Sequence, residues 1–206
     1  MVDIFSMFSI YLAILIAITV HEFAHAYTAD QLGDPTPRLM GRVTLNPFAH
    51  LDLIGTLAFL LVGFGWGKPV LFDPFNLKNP RRDSAVISFA GPLSNLILVA
   101  LSGILITILK GSIDPFAPSA AILRILQDIA IYNTILAVFN LIPVYPLDGF
   151  KVVEGLLPTE KAAEWAELRR YGMIFLIVMI LPILNGTSLV AKIVMPITNF
   201  ILQFVL

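Results

Sequence analysis

Apolar residues run without a charge from Phe5 to Val20, and this sixteen-residue run leads directly into His21, Glu22 and His25. Read for hydrophobicity, the chain divides into six apolar stretches: Ile4 to about Ala29, Leu53 to Gly65, Ala85 to Leu109, Ser119 to Pro143, Gly172 to Leu184, and Leu189 to Leu206. A helix needs about 20 apolar residues to cross the hydrocarbon core of a bilayer. The first, third and fourth stretches are therefore expected to span. The second has 13 residues, which suits a re-entrant or interfacial segment better. The last two are short and broken by Pro182, Gly186, Lys192 and Pro196, leaving either two tilted spans or one span plus a surface helix.

The polar connections test this layout, because cytoplasmic loops carry the excess of Lys and Arg. If Leu53 to Gly65 dips in and returns, the loops from Asp30 to Asp52, Gly67 to Ser84 and Val144 to Tyr171 share one side. They hold ten of the thirteen Lys and Arg residues. The N-terminus is accordingly expected outside and these loops in the cytoplasm. Arg38 to Asn46 contains a break at Gly41 and an extended-favouring run, Val43, Thr44 and Leu45, which predicts a short β-hairpin or edge strand at the membrane surface. An ordered loop without a partner is the competing reading. The expected fold is an all-α polytopic membrane protein: a bundle of about five to six helices with three core spans, and a small β-hairpin or re-entrant segment near the site. A single membrane domain over residues 1–206 is expected, with its motifs within 4–149 and C-terminal hydrophobic helices over 172–206.

Composition strengthens the membrane assignment. Of 206 residues, 58% are hydrophobic and 13% charged, with a mean hydropathy of +0.89, values foreign to a soluble core. A net charge of −1 and the lack of a long basic run argue against nucleic acid as a partner. Cysteine is absent, so any metal must be held by His and carboxylate. The N-terminus lacks a basic region and a small-residue cleavage site, and reads as a retained anchor rather than a signal peptide.

His21, Glu22 and His25 spell H-E-F-A-H. Positions i and i+4 share a helix face, so two imidazoles can grip one Zn²⁺ while Glu22 stands beside it as a base for water. Ionisable groups inside a span are costly and by default functional. A catalytic zinc site needs a third protein ligand, and the best candidate is Asp148 in N-L-I-P-V-Y-P-L-D-G, Asn140 to Gly149. There Pro143 and Pro146 prevent regular helix and Gly149 permits a turn. By itself Asp in P-L-D-G is a common turn former; the missing ligand favours coordination. His50 could be a fourth ligand, but an open catalytic site makes an interfacial or orienting role the better reading. Gly91 to Asn95, G-P-L-S-N, fits helix entry and interhelical packing, or places Asn95 where it satisfies substrate backbone groups. Asn140 caps a broken helix or contacts substrate.

Taken in order, H-E-x-x-H at His21 to His25, G-P-x-x-N at Gly91 to Asn95 and N-x-x-P-x-x-x-L-D-G at Asn140 to Gly149 resemble the motifs of the site-2 proteases, intramembrane zinc metalloproteases. The resemblance covers residues 4 to 149 and lacks the PDZ or CBS domain that often accompanies the family. It implies that His21, His25 and Asp148 bind one Zn²⁺, that Glu22 is the catalytic base and that Asn140 helps hold the substrate backbone. It also implies a β-hairpin near Arg38 to Asn46, with Val43 and Thr44 pairing with a substrate bound as an extended strand. The function so implied is regulated or clean-up proteolysis of single-span membrane proteins, and the Lys and Arg loops place the opening of the site toward the cytoplasm. Nine residues separate His21 from Asp30, the next charge, which puts the metal roughly 10 Å below the surface and calls for a polar channel. Two other readings stand beside this one: a zinc hydrolase acting on another membrane-embedded amide or ester, and a catalytically silent binding or scaffold protein.

Overall fold

The structure, a computed structural model, describes residues 3–62, 65–110, 120–182 and 185–206. Along the chain lie α1 (Ile4–Gln31), α2 (Thr36–Leu39), α3 (Leu53–Val62), α4 (Pro80–Lys110), α5 (Ala120–Asn140), α6 (Asp148–Leu156), α7 (Thr159–Glu167), α8 (Arg169–Ile180) and α9 (Leu189–Leu202). Among the described residues, α1, α4 and α5 are long and apolar enough to cross a membrane. At 1.5 Å per residue they measure roughly 42, 46 and 32 Å, against a hydrocarbon core of about 30 Å. These are the three spans expected from the apolar pattern, and they make a multi-pass membrane protein.

The three spans pack on one another through small residues. Ala13, Ala17, Ala26 and Ala29 of α1, Gly91 and Gly103 of α4, and Ala130 and Ala137 of α5 are all buried. Lipid tails are as apolar as leucine, so helices associate by close backbone approach and by hydrogen bonds rather than by hydrophobic drive. One such bond joins Ser9 Oγ of α1 to Asp128 Oδ2 of α5 at 2.5 Å. α6 lies against α4 and α9 against α5. Val138, Ile142, Leu147, Leu176 and Val194 form an apolar cluster that clamps the turn between α5 and α6 from the side of α8 and α9. With 12 and 14 residues, α8 and α9 each fall short of a full crossing; the connection between them includes residues 183–184, outside the described residues.

Residues 36–79 make an excursion that begins and ends at one level. α1 stops where Gly33 takes φ +109°, with Asp34 N–H bonded back to Ala29 O and Gly33 N–H to Asp30 O, a glycine-terminated helix cap. The Asp34 carboxylate accepts from Thr36 N and Oγ1, Asn76 Nδ2 and Asp73 N at 2.6–3.0 Å, so the start and the finish of the excursion are tied together. Burial pushes the Asp34 pKa up, yet these four donors outweigh it and hold the group below the ordinary aspartate value. Between those ends the chain descends beside α1 until Leu51 and Gly67 pair across one antiparallel bridge; a Cβ on Gly67 would sit 2.8 Å from Ile18 Cγ2. From Ile18 to Gln31 is roughly 20 Å along the helix. α3, ten residues long, follows Leu51 on the way to Gly67 and is too short to cross a bilayer core of about 30 Å.

The expected β-hairpin at residues 38–46 is corrected. No extended ladder exists among the described residues; the pairing of Leu51 with Gly67 is an isolated bridge. Arg38 and Leu39 instead finish α2, and Gly41 at φ +67° caps it. Arg42 N–H bonds Pro37 O and Gly41 N–H bonds Arg38 O. His50 Nε2–H then donates to Thr44 O at 2.7 Å. Local hydrogen bonds thus take the backbone groups that a strand pairing would use, and β-propensity in Val43-Thr44-Leu45 yields to them.

Candidate metal centre

His21 and His25 project from one face of α1, with Nε2 atoms 3.0 Å apart. Asp148 Oδ2 closes the triangle at 3.1 Å from His21 Nε2 and 3.3 Å from His25 Nε2. These three residues are the one His/Asp/Glu cluster with metal-ligand geometry among the described residues. Ligand atoms 2.0–2.2 Å from a tetrahedral Zn²⁺ lie about 3.3 Å from one another, so the donors as placed fit one such ion. The chemistry of the set, two imidazoles and one carboxylate with no thiolate, fits zinc as well.

The other ring nitrogens explain why the donors point inward. His21 Nδ1–H donates to Asn95 Oδ1 at 2.7 Å, and His25 Nδ1–H to Ile87 O at 2.7 Å, leaving each Nε2 lone pair for a metal. Asn95 is itself fixed, because its Nδ2 donates to Ala17 O at 3.0 Å and to Asn133 Oδ1 at 2.8 Å. α4 approaches this closely because position 91 is glycine: a Cβ there would meet His25 Nε2 at 2.4 Å. On the far side Gly149 allows the first turn of α6 to pass Leu141 O, which a Cβ would strike at 2.2 Å. Asp148 opens α6, where the free N–H groups of the first turn favour its negative charge.

Glu22 is held by different means. Its Oε2 accepts from Val70 N–H at 2.8 Å and lies 3.9 Å from Arg42 Nη2. Arg42 is 2% exposed and donates through the same nitrogen to Lys68 O. Its Nε and Nη1, and Nδ1 of His50, have no partner among the described residues. The donors, Glu22, Asn140 and Lys151 line a cavity of about 190 Å³, with Pro69, Val70 and Phe72 as one wall. A larger cavity, about 410 Å³, lies between α1, α5 and α9 and is lined by apolar residues such as Ile14, Ile18, Phe139 and Val194; no residue placed at the centre by the sequence lines it.

Of the residues singled out from the sequence, His21, Glu22, His25, Asp148 and Asn140 meet at one cavity. Asn95, expected at the substrate, stands behind His21 with its amide fully engaged and no exposed surface. Val43 and Thr44 lie in the loop beside His50, outside the cavity wall. His50 contacts Thr44 and is no part of the donor triangle. Arg42, Val70, Asn133 and Lys151 had no assigned role in the sequence. Lys151 alone left a signal there, since it follows Asp148 by three positions and so shares its helix face.

Comparison with known proteins completes the picture. Residues 101–183 match the family model described as Peptidase family M50. A Bacillus subtilis protein named "Putative zinc metalloprotease YwhC" is 38% identical over 176 residues, covering 84% of this chain and 80% of its own. The Mycobacterium tuberculosis protein named "Putative zinc metalloprotease Rip2" is 32% identical over 183 residues, 84% of this chain and 66% of its own. A second M. tuberculosis protein, named "Putative zinc metalloprotease Rip3", is 30% identical over 144 residues, 70% of this chain and 30% of its own. No solved structure gives a significant match.

Proposed function

The chain belongs to peptidase family M50 and is a membrane metalloendopeptidase; from that premise we propose that it hydrolyses peptide bonds within or beside transmembrane segments of other membrane proteins, using one Zn²⁺. The observation that carries this reading is depth. His21 lies ten residues, about 15 Å, before the end of an apolar 28-residue helix, and its Nδ1 partner comes from a second span. A site so placed meets substrates that are themselves in the bilayer.

Bound by His21, His25 and Asp148, zinc supplies Lewis acidity that makes water nucleophilic near neutral pH and polarises a carbonyl. The protein's own groups do the rest. Glu22 borders the same cavity, accepts the proton of the attacking water and returns it to the leaving nitrogen. Val70 N–H and Arg42 hold the carboxylate on that side of the cavity. Asn95 and Ile87 O keep both rings in the tautomer that offers Nε2.

A helical substrate hides its peptide bonds in i to i−4 hydrogen bonds, so the stretch to be cut must unwind and bind as an extended strand. The irregular stretch beside Glu22 is 66–72 rather than 38–46, and its backbone is the natural neighbour for such a strand. The apolar cavity between α1, α5 and α9 gives room for the flanking apolar side chains. The excess of Lys and Arg on the loops at the α1 C-terminal end supports an opening toward the cytoplasm. Comparing the membrane proteomes of cells carrying wild-type and Glu22→Gln protein identifies the substrate. With the purified full chain, Glu22→Gln is expected to keep its zinc and lose cleavage of that substrate about 10²–10⁴-fold; undiminished turnover would overturn the assignment of the base.

A further inference from the structure

Lys151 stands one turn beyond Asp148 on α6 and lines the same cavity as His21, Glu22, His25 and Asp148. Helical side chains lean toward the N-terminus of their own helix, so its long stem is directed back over the turn that carries Asp148. The ammonium rests 4.2 Å from the centroid of the Phe72 ring. Among the described residues it makes no ion pair and no hydrogen bond. Lysine carries three donors and is rarely enclosed without a partner.

The chemistry of the cavity indicates what that partner is. When the oxygen of water bonds to the scissile carbon, its proton passes to Glu22 and the carbonyl π pair moves onto the carbonyl oxygen. An oxyanion appears that the bound substrate did not have. Donors aimed at such developing charge commonly supply the largest share of rate enhancement. The protein groups otherwise lining the wall are poorly suited. Glu22 and Asp148 are acceptors, the Asn140 amide nitrogen turns back to Leu136 O at 3.0 Å, and Ser88 offers only a neutral hydroxyl, a weaker donor to an anion than an ammonium. Lys151 is the one Lys or Arg in the lining.

We propose that Lys151 is a catalytic residue whose ammonium leaves the Phe72 ring to donate to the oxyanion formed at the scissile carbonyl. The inference rests on the proteolytic reading above, and its test separates the two. The probe is a phosphinic tripeptide, a leucyl-leucyl-alanine analogue with PO₂⁻–CH₂ in place of one peptide bond, which carries the tetrahedral anion permanently. Binding is measured to the full chain in detergent, alongside zinc content. Wild-type protein binds the phosphinate only when loaded with zinc; failure there would count against the proposed function itself. Lys151→Met should keep its zinc and bind the phosphinate about 10²-fold more weakly. For the cellular substrate its kcat should fall by a similar factor while KM changes little. Lys151→Arg, which retains the charge, should recover much of both. Unchanged phosphinate affinity in Lys151→Met would overturn the proposal. So would loss of zinc from both variants, which would make Lys151 a support for Asp148 instead.

Discussion

The two halves of the proposed catalytic centre are built from different material. The metal side is helical throughout: His21 and His25 on α1, Asn95 and Ile87 on α4, Asn133 on α5 and Asp148 at the start of α6. The base side is irregular chain: Glu22 leans on Val70 N–H and Arg42, both supplied by the excursion between α1 and α4. Packed helices that bury small residues against one another fix the ligand atoms, whereas the loop is held by scattered contacts: Asp34 at its mouth, one isolated bridge, and single bonds from Val70 and Arg42. The contrast suits the task. A metal must stay bound through every cycle, while the wall beside the base must admit a long substrate.

This division makes metal retention and turnover separable. The largest effect is expected from Gly91→Val: its Cβ would fall 2.4 Å from His25 Nε2, so α4 or the ring must move. Purified variant protein should contain little zinc and show no cleavage; stoichiometric zinc would contradict the packing described for the metal side. A smaller, opposite pattern is expected from Val70→Pro, which removes the N–H that Glu22 accepts. Zinc should be retained and kcat should drop about 10- to 100-fold, in line with a partial loss of general-base positioning. Joint loss of zinc and activity would show that the two sides are not independent.

The smallest effect concerns pH and the mouth of the excursion. The Asp34 pKa is lowered from 3.8 in the folded protein. A depressed carboxylate contributes stability that is fully present well above 3.8 and is lost as pH falls through 3.8 toward the folded value. Hydrogen exchange of residues 72–77 should therefore accelerate as pH drops below about 4, relative to α4 in the same sample and after correction for intrinsic exchange. Asp34→Asn should show at pH 7 a similar loosening, of about 1–3 kcal/mol. Equal protection in wild type and variant would remove Asp34 from its tying role.

What could be read from the sequence followed from short-range periodicity. The i, i+4 histidines, the unbroken apolar runs and the proline-rich approach to Asp148 each depend on residues close in the chain, and α1, α4 and α5 lie where those runs put them. The 13-residue length of the second stretch argued against a full span, and its described helix, Leu53–Val62, is ten residues long. Contacts across long separations were invisible. Val70 reaches Glu22 over 48 positions and Asn95 reaches His21 over 74, so the sequence carried no sign that the Asn95 amide bonds a histidine ring. The strand expected at Val43 to Leu45 failed for a local reason: Gly41 closes a helix cap, and the buried Arg42 side chain turns toward Glu22 and Lys68 O. Arg42 and Lys151 looked like members of a surface charge excess, because a count of charges carries no depth.

The account rests on His21, His25 and Asp148 holding one ion together. Zinc X-ray absorption on the purified full chain tests it most directly. The predicted spectrum has two imidazole nitrogens at about 2.0–2.1 Å and carboxylate oxygen at about 2.0–2.2 Å, and Asp148→Ala should abolish stoichiometric zinc. A protein that carries no zinc, or whose zinc spectrum is unchanged by Asp148→Ala, would contradict it.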